Sequence, residues 1–94
     1  MKFGETIRQK RLDNKLLLKH VAETLELDAA HLSRIENNER KANRSQVVKI
    51  ANLLKIEQEY LITIWLADKL CNVVKDDQTA EAALKLALKS IREK

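Results

Sequence analysis

The 94-residue chain contains no proline, one glycine (Gly4), one cysteine (Cys71) and three aromatic residues (Phe3, Tyr60 and Trp65). Sheet proteins need frequent tight turns, which depend on glycine and proline, and they favour aromatic and β-branched residues. The composition here is instead rich in Leu, Ala, Lys and Glu, which favour helices. We therefore expect a small all-α fold.

Long apolar runs and cysteine pairs are also lacking. The longest uncharged apolar run covers residues 60–67, eight residues, whereas a membrane-spanning helix needs about 20. No positively charged start followed by an apolar stretch marks a secretory signal after Met1. One cysteine cannot form an internal disulfide, which fits a reducing compartment. We expect a soluble, cytoplasmic protein with no membrane partner.

The residues that usually carry catalysis or metal binding are sparse. His20 and His31 fall on different predicted helices, and Cys71 is remote from both. No pair has the CxxC or HxxxH spacing of a metal site. A chain with one glycine also cannot build a glycine-rich phosphate loop. The sequence predicts no metal, no cofactor, no small-molecule ligand and no enzymatic activity.

Hydrophobic periodicity predicts six helices. They cover residues 5–14, 19–25, 29–37, a segment following Asn43, 57–74 and 78–92. Asp28, Asn43 and Asp77 are the predicted N-caps of the third, fourth and sixth helices. Asn38 is expected to end the third helix in the left-handed conformation that asparagine tolerates.

Residues 18–37 fit two short helices joined by a tight turn. Small and apolar residues stand where such a pair must be buried: Val21, Ala22, Leu25, Leu27, Leu32 and Ile35. Residues 21–36 read VAETLELDAAHLSRIE, and this segment resembles the helix-turn-helix of phage Cro and repressor proteins, roughly L-A-x-x-L-x-V-x-x-x-x-I-S-x-I-E. The resemblance extends over residues 3–62. It implies a five-helix Cro/repressor-like (XRE-like) DNA-binding domain at residues 1–60, with a helical extension at residues 61–94.

Three positions depart from the family pattern. Leu17 and Leu18 stand where the family has a Ser, Thr or Asn cap and a glutamine that contacts phosphate. Glu26 stands in the turn where glycine is common. A left-handed backbone at Glu26 would cost about 1 kcal/mol. With Leu18 in place of the family's glutamine, the phosphate contact of that glutamine is missing. With Glu26 in place of glycine, the turn is expected to be strained or differently shaped.

The resemblance places the third helix in the major groove, with its N-terminal residues toward base edges. The residues expected to face the bases are Ala29, Ala30, Ser33 and Arg34. Arg34 either bonds guanine O6 and N7 or is an ordinary solvated arginine. The two alanines either meet thymine methyl groups or only let the backbone approach the DNA. Ser33 can reach a base or a phosphate.

Phosphate contacts are expected from polar residues flanking that helix, since such contacts set the register of the protein on DNA. The candidates are Lys19, His31, Arg40, Lys41, Asn43 and Arg44, of which Lys41 and Arg44 can equally be ordinary loop charges. The net charge of +4 favours a polyanionic partner without naming it. The resemblance also implies a structural ion pair between Arg11 and Glu36, beneath the DNA surface.

Residues 61–94 carry apolar stripes that exceed the needs of a five-helix core, so we expect them to form a homodimer. The predicted interface residues are Leu61, Ile64, Trp65, Leu70, Leu84, Leu88 and Ile91. Trp65 is the expected anchor because a buried aromatic side chain contributes strongly to an interface. In the alternative, Trp65 and Leu70 fold back over the core of their own chain.

The sequence thus predicts a homodimeric regulator of transcription that binds double-stranded DNA at a near-palindromic operator, in a bacterial or phage setting and associated with the nucleoid. It resembles small controllers of restriction-modification or methyltransferase genes, and also antitoxins and phage-type repressors. The alternative is a protein-interaction adaptor that retains the fold without reading DNA. Ala29, Ala30 and the missing glutamine motivate that alternative.

Overall fold

A computed structural model describes residues 2–93. The first residue of the predicted DNA-binding domain (1–60) and the last residue of the predicted extension (61–94) lie outside the described part. Within it the chain forms six helices and no strand. The helices are α1 (Phe3–Asp13), α2 (Leu18–Thr24), α3 (Ala29–Glu36), α4 (Arg44–Leu54), α5 (Gln58–Val73) and α6 (Ala80–Arg92). The predicted all-α fold is confirmed. Most helix ends differ from the predicted ones by one or two residues.

Four helices end in the same left-handed turn without glycine. The residues with positive φ that follow α1 to α4 are Lys15 (56°), Glu26 (59°), Asn38 (63°) and Lys55 (58°). In each turn the next residue donates its N–H to a carbonyl five residues back, as Leu27 does to Ala22 at 2.9 Å. Leu16, Leu27 and Ile56 then pack against the core, which is the hydrophobic contact that accompanies such turns. The left-handed backbone considered for Glu26 is therefore present, and it recurs at three other helix ends.

The helix starts follow the capping residues in two of three predicted cases. The Asp28 carboxylate accepts the N–H of His31 at 2.7 Å and caps α3. Asn43 and Gln46 form a reciprocal capping box at the start of α4. Leu17 precedes α2, which has no side-chain cap. The cap predicted for α6 is wrong: Asp77 accepts both the hydroxyl and the N–H of Thr79, and α6 begins only at Ala80. These two bonds also lower the pKa of Asp77.

The core is built from α1 to α5 and includes the first half of α5. Leu61 is 0% exposed, Trp65 7% and Ile64 9%. The indole N–H of Trp65 donates to the carbonyl oxygen of Ala42 at 2.9 Å, which ties α5 to the connection between α3 and α4. This corrects the expectation that Leu61, Ile64 and Trp65 lie at a dimer interface, because the core of their own chain already buries them. Helix α5 also runs without a break across the predicted boundary at residue 60.

The second half of α5 and all of α6 are exposed. No residue of α6 is buried. Of the nine large hydrophobic side chains that are exposed among the described residues, six lie between residues 66 and 91: Leu66, Leu70, Val73, Leu86, Leu88 and Ile91. Leu84 is half-buried. The apolar stripe of α6, formed at helical spacing by Leu84, Leu88 and Ile91, therefore has almost no partner within its own chain.

Candidate nucleic-acid interface

Helix α3 has one face in the core and one in solvent. Leu32, Ile35 and Glu36 are buried, whereas Ala29, Ala30 and Arg34 are exposed and Ser33 is half-buried. Because residues three and four apart share a helix face, Ala30, Ser33 and Arg34 form one continuous outer surface. The structure thus brings the four residues predicted to face the bases to the accessible side of the second helix of the motif.

Asn37 was not predicted as a site residue, although it continues the same surface. It follows directly after α3, seven residues beyond Ala30, and it is exposed. An asparagine amide can bond adenine N6 and N7 together. The signal in the sequence is the spacing of positions 30, 33, 34 and 37, which lie on one face of a helix.

Arg11 and Glu36 lie beneath this surface, between α1 and α3. The guanidinium donates from Nε to Glu36 Oε2 at 2.8 Å and from Nη2 to Oε1 at 3.1 Å. Its Nη1 donates to the carbonyl oxygen of Leu16 at 2.9 Å. Both residues are buried, 9% and 5% exposed. This bidentate ion pair has a defined geometry, so it holds α3 at a set orientation against α1.

The single glycine stands where α1 meets the end of α3. A Cβ at Gly4 would lie 2.5 Å from the carbonyl oxygen of Glu36 and 2.6 Å from that of Ile35. The N–H of Gly4 also donates to the side-chain oxygen of Asn38 at 3.2 Å. No larger residue fits without movement of the backbone. Gly4 and Arg11 therefore attach α1 to α3 at two separate points.

Most of the predicted phosphate contacts lie at accessible positions around α3. Lys19, Arg40, Lys41 and Arg44 are exposed. The ion pairs among residues 2–93 are Arg11–Glu36, Glu81–Lys85 and Lys89–Glu93, so these four cations have no carboxylate partner in the described part of the chain. Unpaired surface cations are available to neutralise phosphates.

The other two predicted phosphate contacts are more constrained. His31 is half-buried, and its backbone N–H bonds the Asp28 cap. The side-chain oxygen of Asn43 accepts the backbone N–H of Gln46 at 2.8 Å. The backbone N–H of Asn43 donates to the side-chain oxygen of Gln46 at 2.9 Å. The side-chain NH₂ group of Asn43 is the donor left for a phosphate.

The remaining predicted interface residues lie in the exposed region. Leu70, Leu88 and Ile91 are 54%, 47% and 66% exposed. They stand apart from Leu61, Ile64 and Trp65, which the core encloses. The predicted set therefore divides into a core group on the first half of α5 and a surface group on its second half and on α6.

Other features of the described residues lie away from this surface. A charged cleft of about 600 Å³ runs along α1 and the start of α5, and none of the predicted DNA-contact residues lines it. Residues 2–93 hold no group of three His, Cys, Asp or Glu side chains able to bind a metal ion. No described helix has the length and apolar character needed to cross a bilayer.

The fold and the exposed face of α3 define an all-helical domain with a helix-turn-helix motif of the kind that binds DNA. A family model described as a helix-turn-helix domain matches residues 4–64, more than half of the chain. The chain belongs to this helix-turn-helix family and is a DNA-binding regulator of the Cro/repressor, XRE-like type. Searches of curated proteins and of solved structures find no match.

Proposed function

We propose that the protein is a cytoplasmic, nucleoid-associated transcriptional regulator that binds a near-palindromic operator as a homodimer, with α3 in the major groove. The observation that carries this proposal is the outer face of α3. It is accessible from Ala30 to Asn37 and is held to α1 by the buried Arg11–Glu36 pair. A rigid, well-oriented helix is what reading base edges requires.

Arg34 is the residue we propose for direct base recognition. It is exposed, lies in the middle of the outer face and has no ion-pair partner among the described residues. A guanidinium that bonds guanine O6 and N7 discriminates between bases by about 1–3 kcal/mol. Ala29 and Ala30 have short side chains that allow close approach and contact with thymine methyl groups. Ser33 adds a hydroxyl for a base or a phosphate.

Lys19, Arg40, Lys41 and Arg44 are the proposed phosphate contacts, with His31 and the NH₂ group of Asn43 as further contributors. The four exposed cations come from α2, from the α3–α4 connection and from the start of α4, so they flank α3 on the chain. Phosphate contacts set the register of the protein on the DNA, and they contribute to affinity whatever the DNA sequence is.

The second copy of the chain is the proposed partner of α6. A soluble protein rarely leaves a contiguous apolar surface uncovered, and Leu70, Leu88 and Ile91 are exposed in the monomer. A two-fold dimer would cover the same stripe on both copies and would present two α3 helices to two half-sites. Because the chain resembles small controllers of restriction-modification or methyltransferase genes, we propose genes of these kinds as its targets.

A protein-interaction adaptor or antitoxin is the second candidate function. One observation favours it: α2 begins after Leu17 with no side-chain cap, and Leu18 replaces the glutamine that contacts phosphate in related proteins. A domain that no longer reads DNA would tolerate this loss. Such a protein would bind its partner through apolar contacts that depend little on salt.

Selection of duplexes from a random DNA pool tests the proposal. The protein is incubated with the pool and excess non-specific competitor, washed at moderate salt, and the retained duplexes are sequenced. We expect an inverted repeat with half-sites about ten base pairs apart, centre to centre. Enrichment of a single half-site would contradict the homodimer. A folded protein that enriches no sequence would contradict DNA reading and favour the adaptor.

A further inference from the structure

Lys69 lies on α5, outside the residues that match the family model. Its ammonium nitrogen is 3.7 Å from the centroid of the Trp65 ring, one helical turn earlier. The side chain is half-buried. The attraction between the cation and the ring holds the ammonium at one place on the surface while leaving its N–H groups available to other acceptors.

That place is beside the connection between α3 and α4. Trp65, on which Lys69 rests, bonds the carbonyl oxygen of Ala42 in that connection. Arg40, Lys41 and Lys69 consequently line one small cleft of about 60 Å³. Two loop cations and one helix cation, up to 29 positions apart in the sequence, thus line the same cleft near the C-terminal end of α3.

The cleft has an excess of positive charge. Asp68 is the carboxylate that lines it, and Asp68 accepts the N–H of Phe3 at the start of α1. None of the ion pairs among residues 2–93 includes Arg40, Lys41 or Lys69. Three cations that line one cleft, none of them ion-paired among residues 2–93, favour an anion with several oxygen atoms, such as a phosphate.

We infer that Arg40, Lys41 and Lys69 together form a binding site for a phosphate of the DNA backbone, and that Lys69 extends the DNA interface beyond the helix-turn-helix domain onto α5. This inference rests on the proposed function. Because Trp65 bonds the loop at Ala42 and contacts Lys69, the loop backbone and the Lys69 ammonium are positioned before DNA arrives. Its phosphate would set the position of the duplex next to the C-terminal end of α3.

The salt dependence of DNA affinity tests this site. The variants are Lys69→Met, which keeps an apolar stem over Trp65 but removes the charge, and Lys69→Arg, which keeps the charge. Lys85→Met is the matched control, since Lys85 is exposed on α6 and pairs with Glu81 at 3.0 Å. Binding of the full chain to a mixed-sequence duplex is measured by fluorescence anisotropy between 50 and 200 mM salt.

Each phosphate contact contributes a slope of about −0.9 in a plot of log affinity against log salt, which is about threefold in affinity over this range. We expect Lys69→Met to reduce the slope by about 1, and Lys69→Arg and Lys85→Met to keep it. If Lys69 only shields Trp65, the Lys69→Met slope will equal that of the parent and the inference is overturned. A parent protein that does not bind DNA overturns the proposed function, and the inference with it.

A second measurement uses the unaltered protein and does not depend on the folding of a variant. Lysines are acetylated with and without bound duplex, and the modified positions are quantified by mass spectrometry. We expect DNA to protect Lys69 several-fold while leaving the modification of Lys85 unchanged. Equal modification of Lys69 in the free and the DNA-bound protein would overturn the inference even if the protein binds DNA tightly.

Discussion

Arg11 and Glu36 form a buried ion pair, with Nε 2.8 Å from Oε2, that joins the first helix to the end of the third. Removing one partner leaves the other charge buried without compensation, which costs about 3–5 kcal/mol. We expect Glu36→Ala to lower the free energy of unfolding by that amount in urea denaturation. Glu81→Ala breaks an exposed pair and should cost less than about 1 kcal/mol. Equal losses in the two variants would contradict the structural role of Arg11 and Glu36.

Gly4→Ala tests the close approach of α1 and α3. The added methyl group would lie 2.5 Å from the Glu36 carbonyl oxygen, so the two helices must separate. Overpacking of this kind costs about 1–3 kcal/mol. We expect a lower thermal midpoint by circular dichroism. Glu5→Ala, on the exposed side of α1, serves as the control and should change stability by less than about 0.5 kcal/mol. A Gly4→Ala protein as stable as the parent would refute the tight contact.

Glu26→Gly tests the strain in the turn between α2 and α3. Glu26 has φ 59°, a conformation that costs a non-glycine residue about 1 kcal/mol or more. Glycine removes this cost but gains more freedom in the unfolded chain. We expect a net stabilisation of up to about 1 kcal/mol in urea denaturation. The same change at Glu23, inside α2, should destabilise by about 1 kcal/mol. Destabilisation by both changes would show that the turn is unstrained.

Arg34→Ala and Arg40→Ala separate base recognition from phosphate contact. We expect Arg34→Ala to relax the preference for one base pair by about 1–3 kcal/mol. Arg40→Ala should weaken binding to all sequences together and reduce the salt slope by about 1. Competition binding between the selected operator and its single-base variants measures both effects. If both variants bind like the parent protein, the assignment of these two arginines is wrong.

Leu88→Glu and Ile91→Glu test the proposed dimer through α6. Because no residue of α6 is buried, these changes leave the core intact. Each should convert a dimer to a monomer in size-exclusion chromatography with light scattering, since a charge would be buried in the interface. Leu86→Glu is the control: Leu86 is 65% exposed and lies off the apolar stripe of α6. A parent protein that is monomeric at high concentration would rule out the homodimer.

Much of the first three helices could be predicted because local rules decide them. Asp28 caps α3 because its carboxylate reaches the N–H three residues later, and Asn38 adopts the left-handed conformation that ends it. The hydrophobic periodicity of the sequence was enough to predict which face of α3 is buried and which is exposed. The start of α6 was not predictable in this way, because Asp77 bonds Thr79 and closes a separate turn before the helix.

The sequence by itself determined the all-α fold, the helix-turn-helix segment and the accessible side of α3, since these follow from residue spacing along one helix at a time. Only the tertiary structure decided what each apolar stripe packs against. Leu61 and Trp65 enter the core of their own chain, while Leu88 and Ile91 stay exposed. It also brought Lys69 to Arg40 and Lys41. Periodicity shows that a face is apolar, but the partner of that face depends on how distant helices meet.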